Sequence, residues 1–169
     1  KNSTQNILNI MQGGITLGLK EYYLDNDSVT ISIREAYKNH IVRMFKMFGF
    51  DEAASVRKME NILKIETLLA ESSKSRTELR DPEANYNNVT LADFVKDYPN
   101  VKLEQIANAQ GLKSEYFQEF IVGQPKFFKA LNDLRKTMTA DQYRDYMEWG
   151  QIMSAAGYLS DEVVAANFE

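Results

Sequence analysis

The chain has 169 residues, with 20 Lys and Arg against 24 Asp and Glu, a net charge of −4, one His and no Cys. That length is enough to bury a core in one compact domain, and the dispersed, slightly acidic charge lacks the basic footprint that nucleic-acid phosphates demand. Without cysteine there are no disulfides, thiolate nucleophiles or zinc ribbons, and His40 would have to supply any imidazole a reaction used, which argues against most familiar active sites. Residues Ile7 to Leu24 form the one part that does not read as helix. Ile7, Leu8, Ile10 and Met11 make a short apolar run stopped by Gly13-Gly14, predicting one short strand followed by an extended approach. No second strand stands out downstream, so the expectation is that this strand's partner lies outside the chain.

From Asp27 onward the period is helical. Asp27 or Ser28 caps a helix whose Ile33, Tyr37, Ile41, Met44 and Phe48 form an inward stripe ending at Gly49. A second helix is expected from near Asp51 to about Leu79, where Arg80-Asp81-Pro82 breaks it. Val56, Met59 and Leu63 mark one apolar face of it, Ile62, Ile65 and Leu69 another, and Arg57, Asn61 and Lys64 a polar strip, as for a central helix contacted from two sides. After a loop through Asn85 to Asn88, Thr90 with Asp93 forms a variant capping box opening a short helix that stops before Pro99. Leu103 to Gln110 forms another, ended by Gly111. Tyr116 to Val122 reads equally as extended or helical and is closed by Gly123. Pro125 then opens a helix with Phe128, Leu131 and Leu134 inward. Thr139 and Gln142 form a second capping box, starting a helix with Tyr146, Trp149, Met153 and Ala156 along one face. Ser160-Asp161 begins a last helix of barely two turns. The class is mainly α, a multi-helix, bundle-like domain over residues 1–169 with one short N-terminal extended segment, and both ends read as cut from something longer.

Few residues suggest chemistry. His40 sits mid-helix with no His or carboxylate at the i+4 spacing of helical zinc sites, which favours a structural role. Asp25-Asn26-Asp27 resembles the start of a calcium loop but lacks Gly at the sixth position and has Ala36 at the twelfth, so a turn and helix cap is the better reading. Gly13, Gly14 and Gly18 fit no phosphate-binding pattern and are turn glycines. Glu60 and Lys64 have the order of a solvated helix pair. Asn2-Ser3-Thr4, Asn26-Asp27-Ser28 and Asn88-Val89-Thr90 match the glycosylation sequon about as often as chance allows. Arg76, Arg80, Asp81 and Asn85 are the densest polar cluster: they could hold a substrate carboxylate, or Asp81 could cap nearby backbone while Arg80 satisfies helix-end carbonyls, and the structural reading is favoured. No run reaches the roughly 18 to 20 apolar residues that span a bilayer, and the N-terminus has no signal-like apolar stretch.

Five stretches in order resemble one family. Gln12-Gly13-Gly14-Ile15-Thr16-Leu17-Gly18-Leu19-Lys20-Glu21-Tyr22-Tyr23-Leu24 comes first, then Lys64-Ile65-Glu66-Thr67-Leu68-Leu69-Ala70 and the segment Leu79-Arg80-Asp81-Pro82 through Leu91. Gly123-Gln124-Pro125-Lys126-Phe127-Phe128 and Tyr146-Met147-Glu148-Trp149 follow. Together they resemble the neprilysin and endothelin-converting-enzyme family of zinc metallopeptidases, especially its bacterial oligopeptidase members, across essentially the whole chain. Where many relatives carry proline and arginine before the paired tyrosines, this chain has Gly18-Leu19-Lys20. The resemblance implies part of the family's helical N-terminal domain, which covers the active-site cavity and limits access to oligopeptides. It also implies a catalytic zinc domain elsewhere in the same polypeptide, with an H-E-x-x-H helix and a later ligand glutamate, neither present here. It suggests that the strand's hairpin partner lies just upstream, and that the location is periplasmic or extracellular. On this reading the chain has no catalytic or metal residues and no cofactor of its own, zinc belongs to the full-length enzyme, and the substrate-binding residues are unknown. The expected partners are the catalytic domain and an oligopeptide, with no nucleic acid and no membrane segment. The alternative is a free-standing helical protein- or peptide-binding module without enzymatic activity.

Overall fold

In the computed structural model, residues 6–168 are described. Two compact units divide the chain: residues 1–20 with 71–137, and residues 21–70 with 138–169.

The first unit holds a small three-stranded sheet of β1 (Asn9–Ile10), β2 (Asn88–Thr90) and β3 (Glu119–Val122) in the order β1-β3-β2. β3 runs parallel to β1, pairing Asn9 with Ile121, and antiparallel to β2, pairing Val89 with Phe120. The expected missing partner of the first strand is therefore supplied from within the chain, by the segment that read as extended or helical. The amides of Ile121 and Gly123 donate to the carbonyls of Leu8 and Ile10, both at 2.9 Å. An upstream hairpin partner is not needed to explain the strand.

Around this sheet pack α4 (Leu91–Asp97), α5 (Leu103–Ala109) and α6 (Pro125–Thr137). Thr90 caps α4, its hydroxyl accepting from the Asp93 amide at 3.1 Å. Phe120 on the buried face of β3 meets Phe94 at 5.3 Å and Phe117 at 6.3 Å between ring centroids, and Phe94 meets Phe128 at 5.7 Å. These edge-on and tilted aromatic contacts form the core of the unit.

The second unit is helical: α1 (Glu21–Leu24), α2 (Ser28–Met47), most of α3 (Glu52–Ser72), α7 (Ala140–Ala155) and α8 (Asp161–Phe168). Residues 21–24 were expected to be non-helical and instead form α1. Asp27 caps α2 through Val29 and Thr30, and Thr139 and Gln142 form the expected reciprocal capping box on α7. Tyr37, Ile41 and Met44 point inward as their spacing predicts, joined by Phe45. Phe48 is exposed because the chain turns away at Gly49, whose φ of 89° suits glycine. On α3 the Ile62, Ile65 and Leu69 face is buried, and the Val56, Met59 and Leu63 face is half-covered.

α3 stops at Ser72, seven residues before the expected break. Gln12, distant in sequence, accounts for the early stop: its side chain accepts from the Lys74 amide at 2.7 Å and donates to the Lys74 carbonyl at 2.9 Å. Both backbone groups that would continue the helix are thus engaged, and Ser75 and Glu78 close a separate short turn over Glu78–Arg80.

Candidate functional site

In the first unit the polar residues converge on one knot. The Gln12 amide donates to Gln124 Oε1 at 2.8 Å, and Gln124 Nε2 donates to Asn85 Oδ1 at 2.9 Å. Lys74 Nζ donates to the same Asn85 oxygen at 3.0 Å and to the Ala84 carbonyl at 2.9 Å. Asn85 Nδ2 in turn donates to the carbonyls of Leu79 and Asp81, and Asn87 Nδ2 reaches the Val122 carbonyl at 3.0 Å. Gln124 is buried, so the network replaces water for backbone that has no helix or sheet partner. Three of the five family-like stretches meet here.

Within the polar cluster singled out from sequence, Asp81 acts as the structural reading proposed, its carboxylate accepting from the amides of Glu83 and Ala84 at 3.0 and 3.1 Å. The helix-end carbonyls are satisfied by Asn85 rather than by Arg80, and both Arg76 and Arg80 are exposed. Asn85 is already bonded on both sides, which leaves it poorly suited to hold a substrate carboxylate.

A different chemistry ties the second unit. The carboxylate of Glu66, fully buried on α3, accepts from the hydroxyls of Tyr23 and Tyr37, both at 2.8 Å. Trp149 Nε1 donates to the Tyr37 hydroxyl at 2.9 Å. Burial, reinforced by the Glu66 charge, pushes the Tyr146 hydroxyl up to about 12. About two helical turns toward the start of α3, buried Lys58 donates to Asp145 Oδ1 at 2.7 Å and also bonds Glu148. Asn61 and the exposed Arg57 reach the other Asp145 oxygen at 2.7 and 3.3 Å. Burial would raise the Asp145 carboxyl, but the hydrogen bonds from Lys58 and Asn61 and the neighbouring cations outweigh it and hold it below the usual carboxylate range. Lys58 is likewise opposed by burial yet held above its ordinary value by Asp145 and Glu148. Its ammonium lies 4.5 Å from the Phe50 ring centroid and 5.2 Å from that of Phe45.

His40 lies half-buried with its ring edge-on to Trp149 at 5.7 Å, and burial together with Arg43 lowers its basicity. Asp27 serves as a helix cap, and the Asp25 and Asn26 oxygens receive the Arg34 guanidinium at 2.9 and 3.3 Å. The Gly18 amide closes a turn on the Ile15 carbonyl at 3.2 Å. Glu60 and Lys64 are both exposed. Of the sequons, Asn26 and Asn88 are exposed, and Asn2-Ser3-Thr4 lies outside the described residues. Among the described residues no three His, Cys, Asp or Glu side chains gather as a metal site, and the donor set around His40 does not fit zinc. None of the described helices is long and apolar enough to cross a membrane.

The sequence reading passed over Lys58 and Glu66 as knot residues. The signal was present: positions 58, 62, 66 and 69 share one face of α3, so a lysine and a glutamate fall in phase with buried Ile62 and Leu69.

The geometry defines a mainly α scaffold module whose most organised polar residues are committed to holding its own segments together. The chain belongs to peptidase family M13, whose N-terminal model matches residues 1–169. It is 25% identical over 162 residues to endothelin-converting enzyme 1 of Rattus norvegicus, covering 94% of this chain and 21% of that protein. An endothelin-converting enzyme homolog of Locusta migratoria is 27% identical over 174 residues, covering 95% and 23%. The zinc metalloprotease Zmp1 of Mycobacterium tuberculosis, solved by cryo-electron microscopy in an open state, superposes with a TM-score of 0.91 at 25% identity, covering 96% of this chain and 25% of that one. PepO of Lactobacillus rhamnosis shares the fold at a TM-score of 0.70 and 18% identity, covering 94% and 25%. The chain thus spans about a fifth to a quarter of the relatives it matches.

Proposed function

We propose that these 169 residues are a non-catalytic part of the helical N-terminal domain of a zinc-dependent endopeptidase, where they form wall rather than reaction centre. The observation that carries this is the family match along the entire chain, together with the chain's small share of each relative's length. The two knots support it, because the family-like stretches serve packing: Asn85 is bonded within its own unit at both its oxygen and its nitrogen, and Glu66 is fully buried and accepts from Tyr23 and Tyr37. The zinc, the general base and the peptide-binding groups would belong to another part of the same polypeptide. The contribution of this part is steric: it covers the cavity and admits oligopeptides while excluding folded proteins. An exported location, periplasmic or extracellular, goes with this reading.

The test uses the full-length gene product and a graded series of peptides from about five residues to a folded domain. Cleavage of the short peptides that a zinc chelator abolishes and zinc restores, with the folded domain left intact, is the expected result. A gene product that ends near residue 169 and hydrolyses nothing would overturn the proposal in favour of a free-standing binding module. Chelator-sensitive cleavage without any size limit would remove the cavity-covering role alone.

A further inference from the structure

The helix α7 is apolar on more than its inward side. Trp149 and Ile152 are buried, whereas Tyr143 and Met147, one turn apart on another face, are 43% and 42% exposed. Across from them the Gly49 turn presents Phe48, itself 42% exposed, and the half-buried Phe50. Together these side chains line an open hollow of about 640 Å³ floored by Phe45, wholly within the second unit. The charges at its edge are already matched: Arg144 pairs with Asp141 at 2.9 Å, and Glu148 pairs with Lys58. A partner therefore finds no unmatched charge to neutralise and gains most by burying apolar surface.

We infer that this hollow seats an apolar helix ridge from the part of the same polypeptide lying outside residues 1–169. The inference rests on the proposed function, and three observations select the occupant. A helix carrying large apolar side chains on two faces is covered on two sides in the finished protein. The i,i+4 spacing of Tyr143 and Met147 makes a ridge and groove that a second helix fits. Three quarters or more of each relative's length lies outside the matched region, so the polypeptide has ample chain to supply the cover.

The experiment uses full-length protein in which a photo-crosslinking phenylalanine analogue replaces Tyr143, with peptide hydrolysis measured on the same sample. Illumination of dilute, monomeric enzyme should join position 143 to a peptide outside residues 1–169 of the same molecule. A Met147→Cys variant, read at that site by mass spectrometry, should react with a maleimide at least tenfold more slowly in native than in urea-unfolded enzyme. Crosslinks only between molecules would overturn the inference in favour of a second copy. Open labelling at native rates, with crosslinks to water or to residues 1–169 alone, would overturn it outright. If either occurs while chelator-sensitive hydrolysis persists, the docking inference fails and the peptidase reading stands; loss of both would implicate the reading itself.

Discussion

The two units solve the same problem with opposite chemistry. In the first, irregular segments around a six-aromatic core are held mainly by neutral amides: Gln12, Asn85, Asn87 and Gln124 exchange hydrogen bonds with one another and with stray carbonyls, and the Lys74 and Lys20 ammoniums join them by donating to Asn85 and to the Ser73 carbonyl. In the second, regular helices already satisfy their own backbone, and carboxylic side chains are the hubs: Lys58 donates to Asp145 and Glu148, and buried Glu66 accepts from two tyrosines. Amides suit loops because each carries both donors and acceptors and can bridge backbone of either polarity. Charged pairs suit helix faces, where the backbone asks for nothing and only side chains remain to be matched.

The largest blow to this contrast should come from Lys58→Met, which leaves Asp145 buried with only Asn61 and a surface arginine as partners. We expect a loss of about 3–5 kcal/mol, the range for breaking one side of a buried pair. Urea unfolding read by Trp149 fluorescence checks it, since this sole tryptophan reports on the second unit. A loss under about 1 kcal/mol would mean that the cluster is wetter than its burial implies. Gln124→Ala should cost about 2 kcal/mol by stranding its amide partners, within the range for buried polar groups left unpaired. Hydrogen exchange should localise that loss to the first unit, at the Ile121 and Val122 amides.

Acidity should separate the units more finely. Asp145 is held below its unfolded value, so its contribution is present above about pH 4 and disappears as the pH falls through the folded value. Raising the pH has a matching effect: the Tyr146 hydroxyl is pushed to about 12, so stability falls as the pH climbs from the ordinary tyrosine value near 10 toward that point. Lys58, held above its ordinary value, loses its contribution in the same alkaline direction. Trp149 fluorescence should follow both limbs, whereas the amide links at Gln124 have no titrating group and should show neither on their own account. Equal acid sensitivity of exchange at Ile121 and of Trp149 fluorescence would erase the distinction. The smallest effect is a control: Thr90→Ala and Thr139→Ala remove equivalent caps from the two units and should each cost about 1 kcal/mol.

What the sequence showed well was local. The caps at Asp27, Thr90 and Thr139, the turn at Gly49 and the Tyr37, Ile41 and Met44 part of the α2 stripe depend on residues within a few positions of one another and stand in the structure, whereas Ile33 is only half-buried and Phe48 is exposed. What it hid was distant. β3 is four residues long with no clean alternation, and it becomes a strand because Asn9 and Ile10 lie beside it from more than a hundred positions away. The early end of α3 has the same origin, since nothing near Ser72 announces that Gln12 will occupy the Lys74 backbone. The functional reading shows the same split: the stretches that mark the family were legible, but their roles as knots required knowing which stretch meets which.

The pairing of Ile10 with Val122 also orders the assembly of the chain in time. At roughly 5–20 residues per second, a ribosome needs about 6–22 seconds after making the first strand to deliver its neighbour. Through that interval β1 has no hydrogen-bonding mate, and residues 21–70 emerge between the two parts of the first unit while awaiting residues 138–169. Neither unit can mature in simple N-to-C order. The first draws on residues up to 137 and the second on residues beyond 137, so the nascent chain exposes an apolar edge and half a helical core together and must be kept from its neighbours until those later residues arrive.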